Sequence, residues 1–107
     1  MNKQQSKHDR ELMEIIRNPS IIGLDDIIIT AQEINLWNGQ DLIGQPDGLM
    51  FDKDGMPIII EYKCDDYNAK IAYAQLQKAS SFLYYHLEWM PKKYYVHNGD
   101  KYEYIGR

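Results

Sequence analysis

The sequence predicts one α/β domain in the order helix, three strands, helix, two strands. Three observations carry that expectation. Leu12, Ile15 and Ile16, and later Ala72, Leu76, Ala79, Leu83 and Leu87, recur at the spacing of helices with one apolar face. Five stretches, 26–37, 44–52, 57–63, 93–97 and 101–105, read as strands from their β-branched and aromatic residues or their place beside a turn. Lys53-Asp54-Gly55 and Asn98-Gly99 have the length and composition of hairpin turns, so each pairs the strands on either side of it.

Taken in order, residues 1–6 read as a frayed arm, and the first helix ends at Asn18-Pro19, where proline cannot continue it. In the first strand, 26–37, Ile34 and Leu36 alternate with Glu33, Asn35 and Trp37, and Asn38-Gly39 marks the turn that follows. The second and third strands, 44–52 and 57–63, form the hairpin around Asp54. Asp65-Asp66 reads as the start of the second helix, 69–89, which Pro91 terminates. The last two strands flank Asn98-Gly99, and no repeat, low-complexity tract or linker interrupts the chain.

A chain of 107 residues suits one domain and is too short for two. Its 44% hydrophobic and 26% charged residues exclude wholesale disorder and fibrous or membrane classes. No apolar run approaches the roughly 20 residues that cross a bilayer. Residues 1–10 lack the apolar stretch of a signal peptide, so a cytoplasmic location is expected. Cys64, the single cysteine, excludes an internal disulfide, a four-cysteine zinc site and a cysteine-held iron–sulfur cluster. The net charge of −4 argues against coating nucleic acid by charge alone. It leaves room for an acidic protein that engages nucleic acid through a bound cation.

The chemistry concentrates at the end of the third strand. Ile58, Ile59 and Ile60 form the unbroken apolar run of a strand buried on both faces, and Glu61-Tyr62-Lys63 follows directly. Strand residues two apart share a face, so Glu61 and Lys63 point one way and Tyr62 the other. A three-residue loop centred on Asp54 pairs positions whose numbers sum to 108, which sets Asp47 opposite Glu61; a two-residue loop makes the contact diagonal. Facing carboxylates repel, and a divalent cation between them turns repulsion into coordination, with hard oxygen ligands favouring magnesium or manganese. Asp47 and Glu61 are therefore candidate metal ligands, the Tyr62 carbonyl a third, and Lys63 a candidate for orienting water or neutralising developing charge. That set suits metal-assisted hydrolysis of a phosphodiester.

Gly44-Gln45-Pro46-Asp47, thirteen further residues, then Glu61-Tyr62-Lys63 resembles the signature of the PD-(D/E)XK nuclease superfamily. The resemblance covers roughly residues 33–105 and implies a restriction endonuclease-like core, a central mixed sheet flanked by helices, and magnesium-dependent cleavage of DNA. Restriction endonucleases, Holliday-junction resolvases and RecB-like nucleases belong to that superfamily, so branched or structured DNA is an expected substrate. Gln75 resembles the helix motif of the RecB-like subgroup, which pairs a glutamine with a tyrosine four residues on; here that position is Ala79. The resemblance also implies one further acidic residue, for which Glu33 is the first candidate and Glu11 and Glu14 the alternatives.

Plainer readings stand beside these. With 16 acidic and 12 basic residues, an acid-x-lysine triplet arises readily by chance, and Lys63 could form a structural ion pair with the carboxylates. Most of the nine tyrosines read as sheet and core residues, and His8, His86 and His97 show no metal-ligand spacing. The competing function is a nuclease-fold module without activity that serves nucleic-acid binding or assembly. Either way a symmetric dimer is expected, because one small subunit offers little surface to a duplex.

Overall fold

The computed structural model describes residues 6–65 and 68–105. The expected arm at 1–6 lies outside the described residues except for Ser6, whose hydroxyl accepts the Asp9 N–H and caps α1, Lys7–Arg17. A single 3₁₀ turn, Pro19–Ile22, follows, and Gly23 closes it in the left-handed region at φ +76°. Seven strands come next in chain order: β1 Ile27–Gln32, β2 Leu36–Asn38, β3 Asp41–Gly44, β4 Gly48–Asp52 and β5 Pro57–Tyr62 precede α2, Ala69–Leu87. The strands β6, Lys92–His97, and β7, Asp100–Glu103, complete the fold. The main sheet has five strands in the order β1-β4-β5-β6-β7, with β5 and β6 parallel and the other neighbours antiparallel. This is the mixed five-strand sheet the sequence predicts.

The two expected strands at 26–37 and 44–52 each divide, and a separate ribbon, β2-β3, forms between them. The cause is local. Pro46 has no N–H to give to a ladder, so β4 begins only at Gly48. Across from it the chain turns at Glu33, a non-glycine residue at φ +55°, while the Glu33 and Ile34 amides still donate to the Asp47 and Pro46 carbonyls. Glu33 is therefore an exposed bend residue rather than a strand residue. The second helix starts at Ala69 as expected and ends at Leu87, two residues early; Asn68 is its N-cap rather than Asp65, and Asp66 lies outside the described residues.

The sheet is covered on both faces. Leu12, Ile15 and Ile16 of α1 pack with Ile58, Ile60 and Tyr62 on one side. On the other, Ala72, Leu76, Ala79 and Leu83 of α2 pack with Ile59 and Tyr95. Burial on both faces explains the unbroken Ile58-Ile59-Ile60 run; each of these side chains is 2% exposed or less, worth roughly 2 kcal/mol of hydrophobic stabilisation apiece. Gly48 lets α1 approach closely, since a Cβ there would stand 2.9 Å from Ile16 Cδ1. Among the described residues, no helix is long and apolar enough to cross a membrane.

Candidate active site at the end of the central strand

The β4-β5 hairpin sets the site's register. Gly48, Leu49, Met50 and Phe51 pair with Ile60, Ile59, Ile58 and Pro57, so every pair sums to 108 as a three-residue loop requires. Gly55 at φ +81° and the Asp52 carboxylate, which accepts the Asp54 and Met56 amides at 2.9 Å, hold that loop. One step beyond Gly48, the Asp47 carboxylate accepts the Tyr62 N–H at 2.8 Å and lies close enough to the Glu61 carboxyl for each to shift the other's acidity. Two acidic side chains thus meet where the central strand ends.

Their electrostatics follow from burial. Glu61 is 3% exposed, and removal from water pushes its carboxyl up to about 8; the adjacent Asp47 charge adds to this, and Lys63 opposes it. Burial raises Asp47 as well, against the lowering effect of its hydrogen bond with Glu61 and of the His8 and Lys63 charges. Raised in this way, the Glu61 carboxyl favours its protonated form at neutral pH. Lys63 makes no ion pair within 4.0 Å among the described residues, while its charge acts on both carboxyls from farther away. Its N–H donates to the Val96 carbonyl and fixes the backbone beside β6, while the Lys63 carbonyl lies 3.0 Å from His97 Nδ1.

The structure adds a residue that sequence reasoning passed over. From the first turn of α1, His8 places Nε2 3.0 Å from the Tyr62 carbonyl oxygen and 3.5 Å from Asp47 Oδ2, with its ring edge-on to Tyr62. Separations of 54 and 39 positions give no linear signal; only the packing of α1 across the sheet brings the ring there. Asp47 stands next to Glu61 on one side and to His8 Nε2 on the other, and His8 reaches the Tyr62 carbonyl. Oxygen donors in the majority, two of them carboxylates lifted by mutual burial, fit a hard divalent cation.

The remaining candidates are dispersed. Gln75 is exposed on α2 and lines a cavity that Glu61 also lines. Glu33 joins the Asp47 backbone through its amide, but its side chain is exposed. Glu11 sits near Cys64 and Lys7, 3.7 Å from the latter's ammonium, and Glu14 is exposed. Asp26, Asp52 and Asp54 bring carboxylate oxygens within 4.8 Å of one another at the far end of β4. There Asp52 is already engaged in turn hydrogen bonds, which accounts for the cluster.

No protein-family model and no curated protein sequence matches the chain. Solved structures do. A repair endonuclease from Pyrococcus abyssi superposes over 94% of this chain with a TM-score of 0.65 at 17% identity. EndoMS in a complex with dsDNA superposes over 90% with a TM-score of 0.58 at 20% identity. The fold is restriction endonuclease-like. At these identities the likeness is one of fold, a mixed five-strand sheet flanked by helices. The chain spans about two fifths of each of these structures, 41% and 38% of their lengths. Within the restriction endonuclease-like core, Asp47, Glu61 and Lys63 occupy one end of the central hairpin.

Proposed function

We propose that the chain is a divalent-cation-dependent nuclease that hydrolyses DNA phosphodiester bonds, branched or structured DNA included. The observation that carries this reading is a buried Glu61 carboxyl next to the part-buried Asp47 carboxyl, with the Lys63 charge acting on both from beyond ion-pair distance. A purely structural site of this kind would cost stability, because like charges are desolvated together without compensation. A site built to receive a cation accounts for that cost. The two solved structures it resembles, a repair endonuclease and a dsDNA complex, support the same direction.

In this reading Asp47 and Glu61 would hold the cation, magnesium or manganese, with the Tyr62 carbonyl as a further oxygen ligand. The chemistry supplied by such an ion is polarisation of the phosphate and acidification of the attacking water. A cation held there would compete with the proton that burial favours on Glu61, so its binding would tighten as pH rises. Lys63, which holds neither carboxylate in a close ion pair, would orient the attacking water or neutralise charge that grows on the phosphate oxygens. His8 holds the Tyr62 carbonyl and the Asp47 carboxylate in place from above the strand end. Two copies acting as a symmetric dimer would offer a duplex the surface one subunit lacks.

The test is a cleavage panel on linear, single-stranded and four-way-junction DNA with magnesium or manganese, with Glu61→Ala as control. Calorimetric titration of the ion runs in parallel. Cleavage and ion binding that both vanish in Glu61→Ala are expected. A wild-type protein that binds no ion and cuts no substrate would leave the inactive-module reading in its place.

A further inference from the structure

A cavity of about 190 Å³ opens on the α2 side of the strand end. Gln45 and Pro46 form one wall, Gln75, Lys78 and Ala79 of α2 the other, and Glu61 is common to the cavity and the carboxylate pair. Gln75 and Lys78 are three residues apart on a helix, so they stand on the same face. The small Ala79 leaves the space open between them. The volume corresponds to roughly six waters, enough for a phosphate with part of its sugar and too little for a base in addition.

The charge pattern narrows the ligand class. Lys78 is the single cation and Glu61 the single anion among the cavity's walls. A cation alone would meet Lys78, and a free anion alone would meet Glu61. A phosphodiester strand that runs over a cation-loaded carboxylate pair satisfies both, with one phosphate at the pair and the next beside Lys78. We propose that Lys78, assisted by the Gln75 amide, seats the backbone phosphate adjacent to the scissile one. This rests on the nuclease reading and extends it to a second phosphate contact on α2. Such a contact fixes the register of the strand and carries no sequence information. Lys78 is thus a positioning residue rather than a catalytic one, and its solvent exposure lets it be replaced without disturbing the core.

The test measures binding of a labelled single-stranded oligonucleotide to the full chain across a salt series, with calcium in place of magnesium to suppress cleavage. Lys78→Gln and Lys78→Arg are compared with wild type. Losing one phosphate contact lowers the slope of log affinity against log salt by about 0.7 for a single strand. Lys78→Gln is expected to show that loss, and under cleaving conditions a KM raised roughly threefold to tenfold with kcat unchanged. Lys78→Arg is expected to retain the wild-type slope, and cation titrations are expected to match wild type in both variants. An unchanged slope in Lys78→Gln, with wild-type binding intact, overturns the phosphate seat alone. A wild-type protein that binds no oligonucleotide overturns the seat together with the nuclease reading, and the ion titration then shows which of the two readings of the carboxylate pair remains.

Discussion

Replacing Glu61 by glutamine should make the metal-free protein more stable at neutral pH while destroying its capacity to hold an ion. Burial and the Asp47 charge hold the Glu61 carboxyl at about 8, against 4.5 for an unperturbed side chain. The folded state therefore binds this proton more tightly than the unfolded chain. The stabilisation is complete below pH 4.5 and is lost as pH rises toward 8. At about 1.4 kcal/mol per pH unit, the loss between pH 4.5 and 7 is on the order of 3 kcal/mol. Glutamine cannot ionise and escapes it. Carboxylates other than Asp47 titrate alike in both proteins and cancel in the difference; Asp47 loses the lowering influence of Glu61, which trims the gap without reversing it. Urea or thermal unfolding in a chelator at pH 5, 7 and 8.5 reads it directly. The two proteins should lie within about 1 kcal/mol at pH 5, and the variant should melt roughly 10 °C higher at pH 7. A difference that stays constant across pH, or one that favours wild type as pH rises, would refute the account of Glu61 as a buried acid held neutral by its surroundings.

Other substitutions separate the roles at the strand end. Asp47→Asn keeps an acceptor for the Tyr62 N–H and should fold with near wild-type stability, whereas Asp47→Ala leaves that N–H without its partner and should cost about 1–3 kcal/mol in denaturant unfolding. Both should lose ion binding by calorimetry. Lys63→Ala, which breaks no ion pair, should shift stability by under about 0.5 kcal/mol while lowering the cleavage rate about a hundredfold or more at saturating ion. His8→Ala should weaken manganese binding by about tenfold, read by titration; unchanged affinity would remove His8 from the site.

Much of this architecture is legible in the letters because local chemistry decides it. Asn98-Gly99 adopts positive φ at both positions, as the tightest hairpin turns demand, and delivers the last pair of strands. The Ile58-Ile59-Ile60 run marks the doubly covered strand, and the loop at Asp54 gives the register that brings Asp47 to Glu61. What escaped was decided elsewhere. Glu33 carries no glycine or asparagine signal for its left-handed backbone, so alternation across Ile34 and Leu36 looks like one continuous strand. Pro46 does carry the signal that β4 starts late, since a proline within an expected paired strand argues against that strand. His8 is invisible in one dimension, because its place depends on how closely α1 settles over Gly48.

The turn at Lys53-Asp54-Gly55 has a consequence out of proportion to its chemistry. It lies at the opposite end of the hairpin from Asp47, exposed and remote from every candidate donor. Yet it acts as a counter for the whole ladder. One residue added there would slide β4 past β5 by one position and swing each of its side chains to the other face. Asp47 would then leave Glu61 although neither had been changed. Tolerance at this turn should accordingly follow residue number rather than residue type. Substitutions compatible with a positive φ at Gly55 should pass, and single insertions or deletions should silence a site that begins six positions away along either strand.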